Sequence, residues 1–210
     1  MDIASLRKEY TSQKLDIESV KDSPFQQFEG WFEEARNGEV LEPNAMVLST
    51  LGEGSPSQRT VSMKGFSENG LTFFTNYKSK KSVEISANNR VSVLFPWYQL
   101  ERQVIINGTA TKIDKKESLS YFVSRPFGSR IGAWVSDQSK VISSRSILEM
   151  KLEEMKQKFK NIEVPLPDFW RGFRIEPTSF EFWQGRPNRL HDRILYSKQQ
   201  SKWIKERLSP

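Results

Sequence analysis

Arg189-Leu190-His191-Asp192-Arg193 sets the only histidine of the 210-residue chain between arginines. Trp183-Gln184 and the turn-forming Gly185-Arg186-Pro187-Asn188 stand just upstream. If Arg189 to Tyr196 is extended, its side chains alternate between two faces. Arg189, His191 and Arg193 then share one face. Leu190, Ile194 and Tyr196 share the other, with Asp192 among them. Alternation alone favours an edge strand with a basic, solvated side. The neighbouring aromatic, amide and turn instead suit a pocket wall facing an anionic, planar ligand.

Three further clusters can bind anions. Ser79 is placed to cap a helix over roughly residues 80–88, and Lys80 and Lys81 fall in its first turn. That position ordinarily prefers acids. The conflict disappears if a phosphate takes both the backbone N–H groups and the ammonium charges. A solvated lysine cluster is an equal alternative. In Arg59-Thr60-Val61-Ser62-Met63-Lys64, Arg59 and Lys64 fall on opposite faces of a strand, and a lysine at a strand end is commonly just solvated. In Tyr121-x-x-x-Arg125-Pro126-x-x-Ser129, Pro126 can start a helix with Arg125 and Ser129 about its first turn. All three side chains can donate to a phosphate, the arginine bidentately; a surface helix break is the alternative. Together with Gln103, Gln138, Ser139 and Trp183, these clusters fit two phosphorylated planar ligands.

Composition narrows the chemistry. There is no cysteine, which excludes disulfides, thiol catalysis and thiolate metal sites. A single histidine argues against zinc, so no metal is expected. No phosphate-binding G-x-x-x-x-G-K-[ST] loop and no G-x-S-x-G elbow occur, and Gly52-Glu53-Gly54 lacks the third glycine of a dinucleotide fingerprint. His191 and Asp192 are adjacent, which is wrong for a triad on a strand. Redox or carbonyl chemistry would therefore need an organic cofactor. Of the net charge of +6, +5 lies in residues 183–210. A nucleic-acid binder more often spreads a basic stripe over a face or tail.

The elements that must position these groups are short. Residues 1–22 read as a short helix and arm, and residues 23–210 as one domain. Ser23-Pro24 opens a helix with Phe25, Phe28, Trp31, Phe32 and Ala35 on one stripe, ended by Gly38. Strands are expected over Ala45 to Leu51, Gln58 to Lys64, Leu71 to Thr75, Arg90 to Trp97 and Arg102 to Ile113. Asp114 caps a helix running to about Ser124, and another helix runs from Ser144 to Lys160. Arg171 to Glu176, Ser179 to Gln184, Arg189 to Ser197 and Lys202 to Arg207 read as closing strands. The fold class is mainly β: a small barrel with flanking helices. Composition and hydropathy indicate a globular chain without a membrane span, and the first residues lack the apolar core of a secretory signal. A cytoplasmic location is expected.

At these residues the chain closely resembles the pyridoxine (pyridoxamine) 5′-phosphate oxidase family. The likeness rests on Arg102-Gln103-Val104, Tyr121-Phe122-x-Ser124-Arg125-Pro126, Ile131-Gly132-Ala133-Trp134-Val135-Ser136-x-Gln138-Ser139, Val164-Pro165-x-Pro167 and Phe182-Trp183-Gln184-Gly185. Arg189-Leu190-His191-Asp192-Arg193 and the terminal Arg207-Leu208-x-Pro210 complete it. It runs over nearly the whole chain, from Leu6-Arg7-Lys8-Glu9-Tyr10 onward.

The resemblance implies an FMN-binding split β-barrel with flanking α-helices, and a homodimer with FMN at the subunit interface. It implies that FMN is held by Arg59, Lys64, Phe74, Thr75, Lys80, Lys81, Gln103, Gln138, Ser139, Trp183 and Arg193. Of these, Arg59, Lys80, Lys81 and Ser139 would take its phosphate. The substrate phosphate would meet Lys64, Tyr121, Arg125 and Ser129, while Arg189 and His191, the implied catalytic pair, close over the pyridine ring. Arg7, Lys8, Glu9 and Tyr10 would form a mobile lid. The implied reaction converts pyridoxine or pyridoxamine 5′-phosphate to pyridoxal 5′-phosphate, with hydride transfer to flavin N5 and O2 reduced to H2O2. Neither nucleic acid nor membrane is an implied partner. Three positions depart from the family pattern: Lys80 where arginine is usual, Arg171 where glycine is usual, and Arg186-Pro187 in a variable loop. Two alternatives are a split-barrel flavin carrier or reductase, which would not need Tyr121, Arg125, Ser129, Arg189 and His191 together, and a basic nucleic-acid-binding module.

Overall fold

A computed structural model describes residues 3–6, 8–11 and 13–210. In order, they form α1 (Pro24–Asn37), β1 (Ala45–Leu51), β2 (Pro56–Ser62), β3 (Gly65–Ser67), β4 (Gly70–Asn76), α2 (Lys80–Ala87), β5 (Arg90–Trp97) and β6 (Arg102–Lys112). Then follow α3 (Lys115–Ser124), α4 (Phe127–Val135), α5 (Arg145–Lys158), β7 (Trp170–Gln184), β8 (Asp192–Gln199) and β9 (Lys202–Leu208). The strands make one antiparallel sheet with helices flanking it, as the mainly β reading expects. Among the described residues no helix is long and apolar enough to cross a membrane.

The 15-residue β7 organises the sheet. Along one edge it pairs with β6 over nearly its whole length. Along the other it forks: residues 170–175 pair with β4 and residues 179–184 with β8. The sequence pattern predicts two strands here, residues 171–176 and 179–184, and the intervening Pro177 cannot donate to a ladder. The chain instead passes through it with a register shift at Asn107/Gly108, where Gly108 faces Pro177. A Cβ on Gly108 would sit 2.2 Å from the Glu176 carbonyl oxygen, so glycine is what lets the bulge close.

α1 covers the sheet with the aromatic stripe its spacing predicts. Phe28 packs at 4.6 Å from Phe66 and 5.0 Å from Phe95, and Trp31 meets Phe182 edge-on at 5.3 Å. Both are buried, and each such side chain contributes about 2–3 kcal/mol by leaving water. A second cluster, with Phe122, Ile131, Phe159 and Trp170, lies under α3 to α5. α3 begins where expected: Asp114 accepts the Glu117 N–H at 2.6 Å.

Two expectations are corrected. No helix occurs among the described residues before α1. The segment is largely non-regular with short turns, and Leu15 and Val20 are buried in the main core. Its polar sequence concealed those two anchors. The second correction concerns Arg189 to Tyr196, which is not one strand. Pro187–Arg189 forms a 3-10 turn, Asn188 and Arg189 adopt φ of 57° and 61°, and β8 begins only at Asp192. Proline fixes the entry and asparagine tolerates the left-handed conformation, so the alternation fails there. Ile194 and Tyr196 are buried as expected, but Leu190 is 69% exposed.

Candidate active site

A cavity of about 770 Å³ lies between β2, the end of β4, the start of α2 and the α3–α4 junction. Arg59, Lys64, Phe74, Thr75, Lys80 and Lys81 line one side. Tyr121, Arg125 and Ser129 line another, with Gln138 and Ser139 from the segment after α4. Among the described residues, five cations reach this surface and no lining residue is acidic. Lys64 arrives by a bend: β2 ends at Ser62, the Met63 N–H bonds the Asn44 carbonyl, and the Lys64 N–H bonds the Thr72 carbonyl.

The start of α2 carries the first anion subsite. Lys81 is 7% exposed, and among the described residues its Nζ donates to neutral acceptors: Thr75 Oγ1 at 3.2 Å, Gln138 Oε1 at 3.3 Å and Ser79 Oγ at 3.5 Å. Burial, then the Arg59 charge, push this ammonium down to about 8, with Glu84 pulling the other way. An ammonium buried beside a helix N-terminus with no carboxylate in contact fits a phosphate. Lys80 is more exposed, with Nζ 3.7 Å from Glu84. Ser79 holds the N-cap position, but its hydroxyl lies 3.1 Å from that of Ser82 and does not cap the backbone.

The second subsite sits where α3 gives way to α4. Arg125 stacks over Trp170 with its guanidinium carbon 4.6 Å from the ring centroid. Its Nη1 is buried with no hydrogen-bond partner among the described residues. Such a donor costs free energy until an acceptor arrives. Tyr121 stacks on Phe74 at 4.1 Å, and burial raises its hydroxyl above the ordinary range although Arg125 opposes this. It is therefore a protonated donor at neutral pH. The two subsites belong to one cavity, so the chain's residues fit two anionic groups there.

The remaining site residues lie elsewhere. A hollow of about 580 Å³ is lined by Lys8, Glu9, Tyr10, Trp183, Arg189 and His191, with Leu6, Arg186 and Asn188. The Trp183 and His191 rings are 4.6 Å apart, and Tyr10 meets them edge-on at 5.6 and 5.7 Å. The Arg186 N–H donates to His191 Nδ1 at 3.1 Å. Burial, then the Arg189 charge, hold His191 below the usual imidazole range, so it is neutral at pH 7. With Nδ1 accepting, its proton is on Nε2. Gln103 and Arg193 flank Trp183 in register. Arg193 is engaged by Glu181 at 2.8 Å and the Ser209 carbonyl at 2.8 Å. Arg7 lies outside the described residues.

β7 measures how far apart these groups are. Arg171 pairs with Thr75 of the cavity, while Trp183 stands twelve residues further along the same strand. At 3.3 Å per residue that is about 40 Å if fully extended, longer than a mononucleotide. The structure therefore brings eleven of the expected residues to one cavity and six to a different hollow. It does not join the two groups within one chain.

Several contributors had no clear sequence signal. Trp170 forms the floor under Arg125 and Tyr121. Glu101, at φ 53°, accepts the Thr11 N–H at 3.0 Å and meets Lys8 at 3.1 Å. Asp192 accepts the Leu15 N–H and pairs with Arg207 at 2.9 Å. Arg171, the departure at a usual glycine, donates to the Pro167 and Trp170 carbonyls at 2.6 and 2.8 Å and so braces the turn into β7. For Glu84 the available signal is its place four residues after Lys80, which puts both on one helix face.

Comparison with known proteins identifies the family and the fold. Residues 32–159 match the family profile described as pyridoxamine 5′-phosphate oxidase, and residues 170–210 match the pyridoxine 5′-phosphate oxidase C-terminal dimerisation region. The chain is 55% identical to the pyridoxine/pyridoxamine 5′-phosphate oxidase of Crocosphaera subtropica, with 100% of each chain covered. It is likewise 55% identical to that of Aliarcobacter butzleri, again with 100% of both covered. Among solved structures it is similar to PhzG from Burkholderia lata 383 in complex with tetrahydrophenazine-1-carboxylic acid. The TM-score is 0.89 at 25% identity, covering 95% of this chain and 99% of that one. The fold is the split barrel of these proteins.

Proposed function

The chain belongs to the pyridoxine/pyridoxamine 5′-phosphate oxidase family, and from that premise we propose that it oxidises pyridoxine or pyridoxamine 5′-phosphate to pyridoxal 5′-phosphate with bound FMN. The observation that carries this reading is one cavity with two anion subsites, one at Lys81 and one at the unpartnered Arg125 Nη1. A flavin mononucleotide and a phosphorylated substrate need one each. The bound flavin would supply the redox chemistry, accepting hydride at N5 and passing electrons to O2 to give H2O2.

The protein's own part is position and electrostatics. Lys81, Lys80, Arg59, Thr75, Gln138 and Ser139 would hold the flavin phosphate and ribityl end, with Phe74 beside the ring. Tyr121, Arg125, Ser129 and Lys64 would hold the substrate phosphate. We propose that Trp183, Gln103, Arg193, Arg189 and His191 reach the same site from a second copy of the chain, since they cannot reach it from their own. Residues 8–10 would then cover the substrate as part of that second wall. A cytoplasmic location is part of this proposal.

His191, neutral with its proton on Nε2, would donate a hydrogen bond to the substrate and not take up a proton. His191→Asn should therefore leave the pH–rate profile unshifted while raising KM by about 3- to 10-fold, as for loss of one neutral hydrogen bond. Disappearance of a profile limb would instead assign it acid–base work.

Oxygen uptake by FMN-loaded protein tests the function. We expect pyridoxine 5′-phosphate to drive uptake with equimolar H2O2. A yellow, FMN-loaded protein with no uptake would leave a flavin carrier. A protein that stays colourless with FMN would remove both readings.

A further inference from the structure

Glu84 lies behind the cation-lined cavity and is not among its lining residues. It is 7% exposed. Its Oε2 accepts from Thr50 Oγ1 at 2.6 Å, from Ser57 Oγ at 2.6 Å and from Arg59 Nη2 at 3.1 Å. Oε1 lies 3.7 Å from Lys80 Nζ. Burial alone would push this carboxyl up, but the hydrogen bonds from Ser57, Thr50 and Arg59 outweigh it and hold it below the usual range. The turn between β1 and β2 makes room for it: a Cβ on Gly52 would stand 2.8 Å from Oε1.

The proton accounting around Arg59 closes. Nη1 donates to the Leu48 carbonyl at 3.2 Å and to Thr50 Oγ1, while Nη2 donates to Ser57 Oγ at 2.6 Å and to Glu84. All four Nη hydrogens are taken. The single hydrogens of Thr50 and Ser57 go to Glu84, which frees both hydroxyl oxygens to accept from Arg59. Nε–H is the donor left through which Arg59 can reach an anion. Arg59, Lys80 and Lys81 minus Glu84 give a local charge of +2, which matches a phosphomonoester near its dianionic state.

We propose that Glu84 is a positioning residue of this anion site. It clamps Arg59 through Thr50 and Ser57, so that a flavin phosphate meets a fixed positive charge and one N–H instead of a mobile guanidinium fork. This rests on the FMN reading above. It departs from simple electrostatics, because removing a carboxylate near an anion site should tighten anion binding by Coulomb attraction alone.

The experiment is a titration of apoprotein with FMN and, separately, riboflavin, followed by flavin fluorescence, for wild type, Glu84→Gln, Arg59→Ala and the double variant. We expect Glu84→Gln to weaken FMN about tenfold or more while leaving riboflavin unchanged. In the double variant, FMN should bind no more weakly than in Arg59→Ala alone. FMN affinity that is unchanged or raised in Glu84→Gln overturns the proposal, and so do additive losses in the double variant. If Glu84→Gln does not fold, Ser57→Ala removes one arm of the clamp and is read in the same way. A wild-type protein that binds no FMN is a different outcome: it overturns the function reading and this proposal with it.

Discussion

Arg125→Ala is expected to raise the KM for pyridoxine 5′-phosphate by about 10- to 100-fold, the range for losing a charge-assisted contact to phosphate. The effect should fall on KM more than on kcat, because the phosphate lies away from the carbon that reacts. Turnover of unphosphorylated pyridoxine, however slow, should change little. Folding should not suffer in proportion. The substitution removes a buried Nη1 that has no partner, which offsets the loss of its stacking on Trp170. Steady-state oxygen uptake with both substrates checks this. An unchanged KM for the phosphorylated substrate would place its phosphate elsewhere.

Lys81→Met should have effects of opposite sign on stability and on ligand binding. FMN affinity should fall by about 10- to 100-fold, since the buried ammonium is central to the first subsite. The apoprotein should become more stable, because methionine has no charge to desolvate. The pH dependence follows from the ammonium's position at about 8, against 10.5 for an ordinary lysine. Between those values the unfolded chain holds the proton that the folded chain has lost. The destabilisation is therefore complete below pH 8 and relieved as pH rises toward 10.5. FMN binding runs the other way: the phosphate needs the charged form, so wild-type affinity should decline above pH 8. Denaturant melts and FMN titrations from pH 7 to 10 test both trends. In Lys81→Met this part of each pH dependence should vanish; an identical pH dependence in the variant would assign it to another group.

Much of this was legible in the sequence because period and capping carried it. The stripe of α1, the strands β1 and β5 and the cap at Asp114 follow from local pattern. The cation clusters at Arg59, Lys80-Lys81 and Tyr121-Arg125 did come together, and their types announced phosphate. What local pattern misses is tertiary. Pro177 reads as a strand break because nothing nearby reveals that Gly108 will absorb it in a bulge. Arg189 reads as extended because Pro187-Asn188 turn chemistry overrides alternation. Glu84 has its partners Thr50, Ser57 and Arg59 25 to 34 residues away, beyond the reach of local pattern. The grouping of all site residues in one place came from resemblance alone. The chain's own geometry divides them between two ends of β7.

That division leads to the central claim: each active site takes its phosphate-binding cavity from one chain and its Trp183–His191 wall from another. Complementation tests it most directly. Arg125→Ala impairs the cavity and Arg189→Ala the opposite wall, so at a pyridoxine 5′-phosphate concentration near the wild-type KM each homodimer should be poorly active. Co-expressed with different affinity tags and isolated as a heterodimer, the two chains should form one site with both defects and one with neither. At that concentration the heterodimer should recover about half the wild-type rate per dimer, with a wild-type KM. A heterodimer no more active than the mean of the two mutant homodimers would contradict the shared site.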